Sequence, residues 1–335
     1  MILILGRKDD YSSYNVAEWL HFFGVNYRIF NTDSSEPLFI ESYNPQAHEL
    51  IIKQGCTMIN LYDVKAVWNR RHGFNAKSLT DQYISRNSIF FPEKKRKTHY
   101  TQTFEESKSI LEFIHYFIEK NSIVSIGSYF SNDVNKLIVL DKAMNVGFDI
   151  PKTYLLSRKN LLFKIVNTEE NIITKPCTQG IYVPYLSTKY QYYNYVNRLS
   201  IDFIKNLPDT FYPSLFQYEE KKDYELRVFY LYGECYSMAI FSQDNEMAKI
   251  DFRMNQDWIR PLKHVPYNLP VFVKKKIKIL MNLLKLNTGS LDFIVNTKGE
   301  YIFLEVNPCG QFNMTSIPCN YYLEKKIAQK LIKSL

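Results

Sequence analysis

The stretch that decides the reading is Ser290-Leu291-Asp292-Phe293-Ile294-Val295, then Asn296-Thr297-Lys298-Gly299-Glu300, then Tyr301-Ile302-Phe303-Leu304-Glu305-Val306-Asn307-Pro308. Both flanks are rich in β-branched and aromatic residues and meet at a Gly-containing turn, which predicts a β-hairpin. With Lys298-Gly299 as a two-residue loop, Thr297 pairs with Glu300. Counting back along both arms then sets Asp292 across from Glu305. Facing carboxylates destabilise a sheet, and nothing adjacent in sequence neutralises them. Asn307 lies two residues beyond Glu305 and therefore shares its face. Two carboxylates and an amide oxygen form a hard oxygen set, suited to Mg²⁺ with phosphates completing the shell. Asp292, Glu305 and Asn307 are the candidate metal ligands. The alternative for strand acids of this kind is simple exposure to solvent.

Working outward, Leu215-Phe216-Gln217-Tyr218-Glu219-Glu220 precedes Tyr224-Glu225-Leu226-Arg227, and Ile250-Asp251-Phe252-Arg253 follows. The hairpin resembles the metal-binding end of the ATP-grasp ligases. The 215–227 stretch looks like their nucleotide hinge and the strand after it. Ile250–Arg253 and Asn307-Pro308-Cys309-Gly310-Gln311-Phe312 narrow the similarity to peptide-modifying members. These are the microviridin-type, or grasp-with-spasm, maturases that make ω-ester or ω-amide (graspetide) peptides. The similarity covers roughly residues 120–325 and is strongest over 213–313. The N-terminal third matches more loosely, through Val67-Trp68-Asn69-Arg70-Arg71.

The resemblance implies an α/β (α+β) chain with the ATP-grasp fold. It implies an N-terminal α/β domain at 1–121, a central lysine-bearing domain at 122–205 and a C-terminal domain with the metal site at 206–335. ATP and Mg²⁺ are the implied cofactors. Lys136 and Lys175 match the two nucleotide-binding lysines, Gln217 and Tyr218 belong to the adenine hinge, and Glu219 either accepts ribose hydroxyls or faces solvent. Arg227 and Arg253 are the candidate catalytic residues, because a planar guanidinium fork suits phosphate oxygens and an acyl phosphate. Arg253 also matches a position that meets a substrate carboxylate. The implied partner is a ribosomal precursor peptide, its leader helix docking loosely near residues 177–205, where Tyr182, Tyr185, Tyr190, Tyr192, Tyr193 and Tyr195 cluster. Core packing is the other reading of that cluster. A homodimer is implied by the resemblance alone. Cys309 and the loop from 92 to 103 depart from the pattern.

The implied activity is an ATP-dependent macrocyclisation that links Asp or Glu carboxylates, through acyl phosphates, to Thr or Ser hydroxyls or Lys amines. Three alternatives remain open at this stage. One is an ATP-grasp ligase that adds amino acids to a peptide or protein C-terminus. The second is a non-catalytic nucleotide- or peptide-binding protein, and the third is nucleic-acid binding.

Length and composition bound these readings. The 335 residues suffice for two or three domains with real cores. The formal net charge of +8 suits ATP, an acidic peptide or nucleic acid. No RNA-binding signature or finger spacing accompanies it, so nucleic acid is not the expected partner. Lys94-Lys95-Arg96-Lys97 reads as an exposed, solvated loop, with a peptide or phosphate contact second. Five cysteines without a CxxC read as reduced thiols. Cys309 is either a reactive thiol or a plain small residue. Met1-Ile2-Leu3-Ile4-Leu5 runs at once into charge, so it predicts a first strand rather than a secretory signal. No apolar run is long enough to span a membrane, and a soluble cytoplasmic protein without membrane contact is expected.

Along the chain, Asn15–Phe23 and Thr103–Lys120 read as helices, as does Val271–Leu286 with Val273, Ile277, Leu280 and Leu284 on one face. Arg70-Arg71 closes a strand and is either surface charge or a contact for a peptide carboxylate. Cys177-Thr178-Gln179-Gly180 and 242–249 are candidate lids. The last helix, from Tyr321, is expected to cap the C-terminal domain.

Overall fold

The computed structural model describes residues 1–34, 36–71, 73–87, 93–168, 171–178, 182–183, 192–193, 196–243 and 262–333, with side chains undescribed at 85–87, 93–96, 182–183 and 192–193. The chain opens with β1 (Ile2–Gly6), buried along its whole length, then α1 (Tyr11–Phe22) and β2 (Tyr27–Asn31). Asp10 caps α1, its carboxylate accepting the Ser12 N–H, which satisfies one of the donors a helix start leaves open. A three-stranded antiparallel meander follows, with β3 (Leu38–Asn44), β4 (Glu49–Gln54) and β5 (Thr57–Asn60). The chain then returns to the first sheet as β6 (Ala66–Asn69). It continues through α2 (Ala76–Asn87) and α3 (Glu93–Asn121) into β7 (Val124–Ile126). The parallel order is β2-β1-β6-β7.

The expected loop at 92–103 is corrected here. α3 begins at Glu93, so Lys94–Lys97 lies in its first turns. Those turns carry almost no apolar residues, so they give periodicity nothing to register.

The middle of the chain holds α4 (Lys136–Asn145), β8 (Thr153–Arg158), α5 (Lys159–Thr168), β9 (Ile172–Lys175), the short pair β10 (Tyr182–Val183) and β11 (Tyr192–Tyr193), β12 (Asn197–Arg198), α6 (Ile201–Lys205) and β13 (Thr210–Tyr218). Strands β12-β9-β13-β8 form an antiparallel sheet over a small core of Leu162, Ile172, Ile204 and Phe216. The last part holds β14 (Lys222–Leu231), β15 (Glu234–Phe241), β16 (Lys263–Tyr267), α7 (Val271–Leu283), β17 (Thr288–Asn296), β18 (Tyr301–Asn307), α8 (Asn313–Cys319) and α9 (Leu323–Ile332). The third sheet runs β16-β15-β14-β17-β18. The sheets change hands between Ile126 and Thr153 and between Tyr218 and Lys222. β7 therefore lies past residue 121 yet joins the first sheet, and β13 lies past 205 yet joins the second.

One face of the third sheet buries Leu226, Val228, Leu291, Phe293, Phe303 and Val306 against α4 and α7. The expected apolar face of α7 is there, with Val273, Ile277 and Leu280 fully buried. α9 is a correction. Its Leu323, Ile327, Ala328 and Leu331 share one core with Ile2, Ile4, Val16 and Leu20 and with Phe229 and Leu231 of β14, so it packs on the first sheet as well as on the third rather than capping the third alone. Each of these Leu, Ile and Val side chains contributes roughly 1.5–3 kcal/mol by burial, and here that binds the two ends of the chain together. Among the described residues, no helix is long and apolar enough to cross a membrane.

Candidate active site

The β17–β18 hairpin carries the site, but its turn differs from the expected one. Asn296 N–H bonds Glu300 O, Gly299 takes φ +77°, and the Asn296 side chain accepts from the Lys298 and Glu300 N–H groups at 3.0 Å each. The loop is one residue longer than a Thr297–Glu300 closure, and Val295 pairs with Tyr301. A register shift then falls between Phe293↔Phe303 and Asp292↔Glu305, leaving Leu304 as the extra residue of a β-bulge. The two offsets cancel, and Asp292 lies opposite Glu305 as the sequence predicts. The bulge also lets Phe303 and Val306 both enter the core while Glu305 and Asn307 take the opposite face. Re-aiming a side chain beside a site is a recurrent use of such a bulge.

That face is polar and built from several segments. Arg227 stands beside Asp292 on β14, and its Nη1 donates to both carboxylate oxygens at 2.9 Å. Lys136 Nζ lies 3.0 Å from Glu305 Oε2. Lys136 opens α4, whose start is fixed by the Asn135 side chain accepting from Leu137 and Ile138 N–H. Asn307 pairs with Ser290 across the ladder, and among the described residues Asn307 Oδ1 and Ser290 Oγ are both buried without a hydrogen-bond partner, as is Arg227 Nε. Each such orphan costs about 1–3 kcal/mol. An acceptor left open two residues beyond a pair of facing carboxylates fits a hard cation. The donor set therefore suits Mg²⁺. Among the described residues no group of three or more His, Cys, Asp or Glu forms a metal centre, so a cation site here would have to draw on the Asn307 amide.

The other predicted residues are placed less uniformly. Lys175 ends β9 in the second sheet, opposite Leu215. Gln217 is buried and its amide donates to Thr153 Oγ1 at 2.9 Å. The Tyr218 and Glu219 N–H groups donate to the Lys152 and Asn171 carbonyls, at 2.9 Å each. The Glu219 carboxylate accepts from Arg198 Nε and Nη2 at 2.7 and 2.8 Å, so it is neither in open solvent nor uncommitted. Arg253 lies outside the described residues, as do Gln179, Gly180, Tyr185, Tyr190, Tyr195 and most of the 242–249 lid.

Arg70 was left open by the sequence and is decided here. Its side chain is 2% exposed and reaches Asp10 at 3.0 Å. It donates to Ser12 Oγ, the Cys309 carbonyl and, at 2.9 Å, the Gly310 carbonyl. Its guanidinium also sits 5.8 and 5.6 Å from the Trp68 and Phe312 ring centroids. Burial lowers its pKa to about 10, with Asp10 opposing that shift. Arg70 thus clamps the turn that follows Asn307 onto the first sheet. Gly310 in that turn has φ +52°, and a Cβ there would meet Ser290 N and Phe229 at 3.2 Å, so the close approach needs glycine. Burial pushes the Cys309 thiol pKa up, which keeps it protonated and opposes the reactive-thiol reading. Ser290 was missed. The signal was its position two residues before Asp292, on the same strand face.

No protein-family model matches the sequence, and no curated protein does. The fold is that of the ATP-grasp ligases. Among solved structures, the chain is similar to the macrocyclase MdnC of Microcystis aeruginosa MRC bound with its precursor peptide MdnA, at 24% identity over 100% of both chains with a TM-score of 0.78. It is also similar to a Chryseobacterium gregarium RiPP-associated ATP-grasp ligase solved with ADP and a leader and core peptide. That match is 22% identical, covers 100% of this chain and 97% of the other, and has a TM-score of 0.79. D-alanyl-alanine synthetase A of Vibrio cholerae is more distant, at 12% identity over 99% and 97% of the two chains and a TM-score of 0.57.

Proposed function

We propose that this protein is an ATP-dependent ligase that macrocyclises a ribosomally made precursor peptide, joining Asp or Glu side chains to Thr or Ser hydroxyls or Lys amines. The observation that carries the reading is the face made by Asp292, Glu305 and the unpartnered Asn307 Oδ1, flanked by Arg227 and Lys136. Of the similar structures described above, MdnC is solved with a precursor peptide and the Chryseobacterium ligase with ADP and a leader and core peptide.

Joining a carboxylate to an alcohol or amine in water is uphill. The chemistry proposed is attack of a peptide carboxylate oxygen on the γ-phosphorus of ATP, with ADP leaving. The nucleophile then attacks the acyl carbon, phosphate leaves, and the nucleophile's proton is lost. Asp292, Glu305 and Asn307 would hold Mg²⁺, which when bound neutralises phosphate charge. Lys136 and Lys175 meet phosphate oxygens. Arg227 and Arg253 steady the acyl phosphate, and Gln217, Tyr218 and Glu219 form the adenine edge. Holding the acyl phosphate beside its nucleophile contributes through proximity. The division into 1–121, 122–205 and 206–335, a cytoplasmic location, a homodimeric state and no role with nucleic acid belong to the same proposal.

The test is mass spectrometry of peptides encoded beside the gene after incubation with protein, ATP and Mg²⁺. The expected product is lighter by one water per ring. Esters reopen in mild alkali and amides do not. No loss of water from any such peptide, with no peptide-dependent ADP, refutes the reading.

A further inference from the structure

The first sheet reverses its order at β1, which is followed by β2 on one side and has β6 on the other. In open α/β sheets, ligands bind in the crevice beyond the strand carboxyl ends at such a switch point. Here β1 ends at Gly6 and β6 at Asn69, and Arg70 and Arg71 follow directly. Their N–H groups both donate to the Leu5 carbonyl, at 3.1 and 3.2 Å. The two guanidiniums therefore leave the sheet at one point, and they divide there. Arg70 is enclosed and committed to Asp10, Ser12 and the turn after Asn307. Arg71 is 26% exposed. Its Nε donates to Asp10 at 2.8 Å, and its two terminal amino groups have no hydrogen-bond partner among the described residues.

Arg71 and its neighbour are also tied to two segments that lead into the candidate active site. Its carbonyl accepts from the Asn132 amide at 2.8 Å, four residues before Lys136. Its neighbour Arg70 holds the Cys309 and Gly310 carbonyls, just past Asn307. The charge count points the same way. Two guanidiniums share the single Asp10 carboxylate, leaving one positive charge in excess. Asp133 acts electrostatically on the nearby Cys309 thiol, yet no ion pair joins it to Arg71. With Nε held by Asp10, the guanidinium keeps its end-on edge, which grips a carboxylate through two parallel N–H bonds.

We infer that Arg71 is the anchor for a side-chain carboxylate of the peptide, holding it at the switch-point crevice beside the Asp292–Glu305 face. The inference deepens the ligase reading and rests on it for the identity of the ligand as a peptide. The geometry assigns the recognised group as a carboxylate and the binding residue as Arg71, with Asp10 and Arg70 orienting it.

The test uses the full chain with ADP and Mg²⁺, and two small probes, N-acetyl-glutamate methylamide and its glutamine counterpart. Binding of each is read by ligand-observed NMR titration. Wild type is expected to prefer the carboxylate roughly tenfold, the lower end for a charge-assisted pair. Arg71→Gln should lose that preference, and Arg71→Lys should recover part of it. Melting curves of both variants should match wild type, because Asp10 keeps Arg70 and Ser12. A preference that survives Arg71→Gln overturns the assignment to Arg71. Equal binding of the two probes by wild type overturns the carboxylate crevice itself. Neither result touches the ligase reading, which stands or falls on loss of water from the precursor.

Discussion

The two carboxylates of the site should differ sharply in what their neutralisation does to folding. In Asp292→Asn the Arg227 guanidinium loses its counter-charge, its side chain is 7% exposed, and its Nε is already unpartnered. Removing one partner of a buried pair costs about 3–5 kcal/mol, because the remaining charge is stranded. In Glu305→Gln the stranded group is Lys136, 20% exposed at a helix start. A lysine on a flexible stem turns its ammonium to water, and a pair this open contributes only about 0–1 kcal/mol. The change also removes the repulsion between facing carboxylates, about 0.2–1 kcal/mol, so the net is close to zero. Both variants lose a proposed metal ligand, and both should lose nearly all turnover. Urea unfolding in EDTA, followed by circular dichroism, should place Asp292→Asn at least about 2 kcal/mol below Glu305→Gln. Adding Arg227→Met to Asp292→Asn should recover most of that loss. Equal destabilisation by the two single changes, or no recovery in the double variant, would refute the charge accounting.

Asn307→Leu should abolish turnover yet stabilise the ligand-free chain by about 1–3 kcal/mol, because it removes a buried acceptor that has no partner; a fall in the unfolding midpoint in EDTA would contradict this. His115 is buried, accepts the Phe74 N–H at 3.1 Å, and burial lowers its pKa to about 3. The folded state therefore binds fewer protons than the unfolded one, and stability is lost as pH falls from about 6.5 toward 3. At pH 5 wild type should have lost roughly 2 kcal/mol more than His115→Met, relative to pH 7.5, by urea unfolding. Cys309→Ala should keep turnover within a few fold, because Arg70 uses the carbonyl of this residue and not its thiol; peptide-dependent ADP release measures it.

The hairpin was legible because its evidence is local. Alternation, β-branched content and a Gly turn fix two strands, and their acids then have to face one another. The route was less legible than the result. The Asn296 side chain sets a longer turn, Leu304 bulges, and only their cancellation restores Asp292↔Glu305. A bulge of this kind answers to the core, which takes both Phe303 and Val306, and no local count anticipates it. α9 shows the same limit. Its apolar stripe announces that it is buried but not that Ile4 and Leu20, some three hundred residues earlier, cover it. Arg70-Arg71 looks like a surface pair because adjacent charges usually are; only tertiary placement distinguishes the enclosed guanidinium from the half-open one.

The charges around the hairpin explain why so costly an arrangement persists. Two carboxylates face each other across a ladder, with a buried amide oxygen and a buried hydroxyl beside them unpaired. Left alone this face would be strongly unfavourable. The chain supplies its own counter-charges from distant segments, Arg227 from β14 and Lys136 from the start of α4. These are also two of the residues proposed above, from the resemblance, to meet phosphate. A bound cation and these basic groups are alternative partners for the same carboxylate oxygens. Filling the site with a cation would therefore release positive side chains at the place proposed for the phosphates. Asn307 Oδ1 has no such stand-in among the described residues. Its unmet acceptor is the part of the arrangement that folding alone does not explain.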